Sequence, residues 1–75
     1  MGRTLLSPKL LREKGFAERL MFGDIYYVKS KVAVVYKFKW IPCTMEFGEP
    51  LCTNVYIDTW EELVRLTQDA GINIE

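Results

Sequence analysis

An α+β fold is what this chain of 75 residues predicts, and three observations carry the prediction. A Ser-Pro pair opens a helical segment, a run of β-branched and aromatic residues alternates with lysine in the middle, and an amphipathic stretch with a capping signature closes the chain. The arrangement expected is a small antiparallel sheet of three to four strands, with an N-terminal helix and a C-terminal amphipathic helix packed on one face. Residues 1–75 form one domain on this reading, because the length suffices for one core and not for two.

The first element begins at Ser7-Pro8, where serine suits the N-cap and proline the first helical position. Leu10 and Leu11 continue it to about residue 14, and Gly15 is placed to end it. Residues 16–22 read equally as helix and as strand, since Leu20 and Met21 keep helical spacing while Phe16, Leu20 and Phe22 share one side of a strand. Ile25 to Val28 form the next strand, and Lys29-Ser30-Lys31 supply a turn without the Asn-Gly signal that would fix its register. Val32 to Trp40 then alternate over nine residues. Val32, Val34, Tyr36, Phe38 and Trp40 share one face, and Lys31, Ala33, Val35, Lys37 and Lys39 share the other, which the lysines mark as wet. Pro42 is read as the strand's end and Gly48-Glu49-Pro50 as a second turn. Cys52 to Asp58 alternate again. Thr59-Trp60-Glu61-Glu62 is a capping box, followed by Trp60, Leu63, Val64 and Thr67 at helical spacing and by Gly71 at the stop.

The residue types argue against catalysis. Histidine is absent, which removes histidine-based acid–base pairs, activated Ser or Cys nucleophiles and imidazole metal ligands. Glu61 and Glu62 are explained by helix capping and Asp58 by the corner before the helix, so no carboxylate pair is left for a pocket. The scattered glycines make no phosphate-binding loop. No catalytic residue, metal site or cofactor is expected. Cys43 and Cys52 would face each other in a hairpin centred on Phe47-Gly48, which makes a disulfide feasible. Without an export signal the chain is expected to be cytoplasmic, where thiols are held reduced. The longest apolar run, Val32 to Tyr36, is far shorter than the ~20 residues of a spanning helix, so no membrane association is expected.

The zero net charge conceals an asymmetry. Residues 1–40 carry nine bases against three acids, and residues 41–75 carry one base against seven acids. A charged partner would explain this, and so would two halves that neutralise each other within one small domain or meet in a dimer. Arg3, Lys9, Arg12, Lys14, Lys29, Lys31, Lys37 and Lys39 make up a basic set that could hold nucleic acid. Against that, the rings and the lysines of the central strand point to opposite faces, whereas a base-stacking platform needs them together. The favoured expectation is a small non-enzymatic interaction protein, a regulator, inhibitor or adaptor, that binds a protein or a second copy of itself. Its surplus of aromatics in so short a chain motivates this, and Tyr27, Lys37 and Lys39 on the Ile25–Trp40 hairpin are the expected contact residues.

Overall fold

In the computed structural model, which describes residues 3–75, the first helix forms where the Ser7-Pro8 pair puts it. Helix α1 spans Pro8–Glu13, and the Ser7 hydroxyl accepts the Leu10 N–H at 3.1 Å. Gly15 ends it with φ 96°, a conformation that costs a side-chain-bearing residue strain. Five antiparallel strands follow: β1 (Ala17–Met21), β2 (Asp24–Lys29), β3 (Val32–Lys37), β4 (Lys39–Glu46) and β5 (Glu49–Cys52). They lie in chain order, each paired with its predecessor. Helix α2 spans Trp60–Asp69. The α+β class is as the sequence predicts, with five strands in place of three to four.

The extra strands come from two places. Residues 17–21 settle as β1, because Ala17 to Met21 pair with Val28 to Asp24. The nine-residue run 32–40 divides in two. Phe38 takes φ 66° and turns the chain, so that Lys37 pairs with Lys39 and Tyr36 with Trp40. Pro42, expected to stop a strand, lies inside β4 opposite Val34. Its carbonyl accepts the Thr53 N–H at 3.2 Å, so its nitrogen points to the same side, toward β5. A proline nitrogen cannot return the second bond, and the β5 ladder ends at Cys52, one residue before. Residues 53–56 bow away, and Ile57 rejoins β4 through its N–H to the Trp40 carbonyl at 3.0 Å. The expected strand 52–58 is therefore interrupted.

The sheet buries apolar residues on both faces. One face carries Tyr27, Val32, Val34 and Trp40, covered by Leu11, Phe16, Trp60, Leu63 and Ile74. The other carries Tyr26, Ala33, Val35 and Cys43, with Met21, Val28, Ile41 and Met45 around them. The Lys31–Lys39 face expected to be wet is thus dry at its centre: Ala33 is 0% and Val35 1% exposed. The physical reason is curl. Strong twist in a sheet of short strands brings Tyr26 on β2 against Cys52 on β5, so one face closes on itself. The lysines sit at the strand ends, in the turns.

The capping box is formed. Thr59 Oγ1 accepts the Glu62 N–H at 3.2 Å, and Glu62 accepts the Thr59 N–H at 3.1 Å and the Asp58 N–H at 3.0 Å. These donors hold the Glu62 carboxyl below its ordinary range. The N-terminal arm is stitched to the same corner. Leu6 donates to the Asp58 carbonyl at 2.9 Å, Trp60 to the Thr4 carbonyl at 2.8 Å, and Thr4 to the Glu61 carboxylate at 2.9 Å. Among the described residues, no helix is long and apolar enough to cross a membrane.

Candidate interaction surface

Among the described residues, four non-glycine residues have positive φ: Phe22 (54°), Ser30 (57°), Phe38 (66°) and Phe47 (52°). Each sits at a hairpin tip. Phe22-Gly23 and Phe47-Gly48 have positive φ at both central residues, the type I′ pattern, in which the first place favours Asn, Asp or Gly. A bulky side chain there carries strain of ~1–3 kcal/mol, which the surroundings must offset. None of the three phenylalanines recovers it by burial, for Phe22 is 72%, Phe38 94% and Phe47 fully exposed. Backbone and solvent both disfavour these rings.

Phe47→Asn tests that argument directly. The substitution relieves the backbone and loses no burial, so stability should rise by ~1 kcal/mol, read as a higher urea midpoint at unchanged slope. A lower midpoint would mean that the Phe47 ring packs against the fold after all.

In this meander the β1–β2 and β3–β4 turns lie at one end of the sheet, and the β2–β3 and β4–β5 turns at the other. Phe22 and Phe38 therefore share an end, and Phe47 stands opposite. Between Phe22 and Phe38 a row of side chains crosses four strands. Leu20 pairs with Ile25, Ile25 adjoins Tyr36 one step beyond the Tyr26–Val35 pair, and Tyr36 pairs with Trp40. Leu20, Ile25 and Tyr36 are all more than half exposed. The row continues the helix-covered face past the reach of the helices. Tyr36 and Trp40 stack edge to face, with centroids 5.0 Å apart. That pair forms a ridge between two shallow clefts of about 390 and 480 Å³. Arg3, Leu5, Phe38, Lys39 and Asp58 line the first, and Pro8, Gly23, Asp24 and Ile25 the second.

Of the three contact residues expected from the sequence, Lys39 lines the first cleft and Tyr27 the second. Tyr27 is a core residue, 6% exposed, with its ring 5.9 Å from Trp40. Burial first, and then the Glu18 carboxylate, pushes its phenol pKa up. Lys37 is exposed at the same end and pairs with Asp24 at 3.3 Å. Tyr27 and the two lysines come from opposite faces of the sheet.

The basic set does not assemble into one stripe. Arg12 pairs with Glu18 at 3.0 Å and Lys37 with Asp24. Lys29 Nζ donates to the carbonyls of Lys14 at 2.8 Å and Ile74 at 2.7 Å, and Lys14 Nζ lies 5.1 Å over the Trp60 ring. Arg3 and Lys39 share one cleft, whereas Lys31 occupies a turn at the far end. Lys9 is exposed on α1. Among the described residues, both ion pairs join residues of 1–40. The pKa of Glu61 and Glu62 is lowered by hydrogen bonds first and, across the two halves, by the Arg3 charge as well.

Sequence reasoning missed Leu20, Phe22, Ile25, Tyr36 and Phe38 as a surface. A signal was present in the repeated Phe-Gly dipeptide at 22–23 and 47–48, which reads as a two-residue turn and puts the ring outside. Compared with known protein families, with curated proteins and with solved structures, the chain matches none.

Proposed function

We propose that this protein is a non-enzymatic interaction module, a regulator, inhibitor or adaptor, that docks a protein partner on the row Leu20, Ile25 and Tyr36. Phe22 and Phe38 are its protruding anchors, and Arg3 and Lys39 form a basic rim. The observation that carries this reading is the placement of Phe22 and Phe38. Both are exposed, both hold a backbone conformation that aromatic residues avoid, and they flank an exposed apolar row. Strain without folding benefit is shared by Phe47 at the opposite end, and what sets Phe22 and Phe38 apart is that they flank the exposed row Leu20, Ile25 and Tyr36. Interface cores are rich in aromatic residues and poor in charge, with polar residues at the rim, and the aromatic row with Arg3 and Lys39 at its edge has that arrangement. The partner that fits supplies apolar side chains to the two clefts and carboxylates to the rim.

Quantitative affinity capture from the native host tests the reading with three baits: wild type, an Ile25→Ser/Phe38→Ser double variant, and Phe47→Ser. Loss of the captured protein with the double variant alone, at unchanged Tm, is the expected result. Sedimentation of the same three proteins separates a foreign partner from a second copy of this chain. Equal capture and equal self-association by all three would remove this surface from consideration.

A further inference from the structure

Cys43 and Cys52 lie directly opposite each other on β4 and β5, the last pair before the ladder ends. The neighbouring residues Pro42 and Thr53 share a backbone hydrogen bond. Because hydrogen-bonded and non-hydrogen-bonded pairs alternate along an antiparallel ladder, Cys43 and Cys52 form a non-hydrogen-bonded pair. Cα atoms in such a pair stand ~4.5 Å apart with their side chains on the same face, inside the ~4.4–6.8 Å range that a disulfide spans. The two Sγ atoms meet at 2.6 Å, and both residues are free thiols. Their environments differ: Cys43 is buried, and Cys52 is exposed at the sheet edge.

We propose that Cys43 and Cys52 form a reversible dithiol/disulfide couple that accepts low-molecular-weight disulfides of the glutathione type as oxidant. The exposed Cys52 reacts first. It loses its proton to solvent, its thiolate attacks one sulfur of the disulfide RSSR, and RS⁻ leaves to take up a proton as RSH. That step produces a mixed disulfide on Cys52. Cys43 then attacks Cys52 Sγ, its own proton passing to the second departing RS⁻. In sum, two cysteine thiols and RSSR give one intramolecular disulfide and two RSH, with two electrons moved from protein to oxidant. Cys43 cannot begin the reaction, because burial and the adjacent Cys52 disfavour its thiolate. It can finish the reaction, because the register holds it against the sulfur under attack. The phenol of Tyr26 borders the pair, its pKa pushed up to about 12 by burial first and by Cys52 next. The bond would clamp β5, an edge strand whose side chains are mostly exposed and which little but its ladder retains.

Purified protein equilibrated in glutathione redox buffers, quenched with an alkylating agent and weighed intact, decides the matter. At high glutathione disulfide the wild type should take up no alkyl group and lose two hydrogens, and excess reduced glutathione should restore two alkylatable thiols. Closing a loop of this length should raise Tm by roughly 10 °C in the oxidised form. Cys52→Ser removes an exposed thiol and should leave Cys43 inert to glutathione disulfide. Cys43→Ser should stop at the mixed disulfide on Cys52. Should that buried substitution fail to fold, the wild-type titration decides alone. Two alkylatable thiols after equilibration, a persistent glutathione adduct on the wild type, or a covalent dimer would each overturn the couple. An unchanged Tm would overturn the clamp.

Discussion

Trp60→Ala is expected to leave most of the population unfolded at room temperature. Trp60 opens α2 and packs edge-on to Phe16, centroids 6.1 Å apart at 87°, with the Lys14 ammonium over its face. Its backbone N–H ties the N-terminal arm to the helix. The ring thus joins α2 to the segment that links α1 and β1. Truncating a buried tryptophan costs ~3–5 kcal/mol in transfer and cavity terms, and cores of this size supply only ~3–5 kcal/mol of net stability. Far-UV circular dichroism and urea unfolding measure the result. A variant that unfolds cooperatively within ~1 kcal/mol of the wild type would mean that the corner is held without the ring. Trp60→Phe, which keeps most of the apolar contact, should recover most of the loss.

Val35→Lys separates the pattern in the sequence from the packing in the structure. By period-two alternation Val35 lies on the lysine-bearing face, where a further lysine would change stability by no more than ~0.5 kcal/mol. In the structure it is 1% exposed among Tyr26, Ala33 and Cys43. An ammonium placed there loses its hydration, and the nearby carboxylate on that face, Asp24, is already paired with Lys37, so the cost is several kcal/mol unless the lysine sheds its proton. The variant should fail to fold at neutral pH and regain structure at alkaline pH. Phe38→Lys, at the exposed tip of the same hairpin, should melt like the wild type. Equal tolerance at both positions would place Val35 in water.

How far the sequence could be read depended on the range of the forces involved. Helix α2 was legible because its signals are local: Thr59 and Glu62 form the cap and Leu63 and Thr67 the stripe, within one or two turns. Ser7-Pro8 marked α1 for the same reason. The strand pattern was legible, but its division was not. Nothing in Tyr36-Lys37-Phe38-Lys39-Trp40 announces a turn, because the residue at the apex is phenylalanine where glycine or asparagine would be the usual sign. Pro42 misled because its tolerance within β4 depends on where β5 stops, a relation between distant segments. Ala33 and Val35 misled because alternation reports which residues share a face and not whether that face curls shut. The surface followed the same logic. Tyr27 and Tyr36 carry equal apolar weight in the sequence, and only the extent of helix coverage makes one a core residue and leaves the other exposed.

The all-neighbour strand order has a kinetic corollary. Four hairpins can form from contacts a few residues apart, which closes small loops quickly and gives the middle of the chain a rapid early phase. The arm–corner bridge between Leu5 and Thr59, and the Lys29 bond to Ile74, join segments far apart in the chain and must await the sheet. Refolding should therefore end with the docking of both termini, and amide exchange should fade first at Thr4–Leu6 and last in β3.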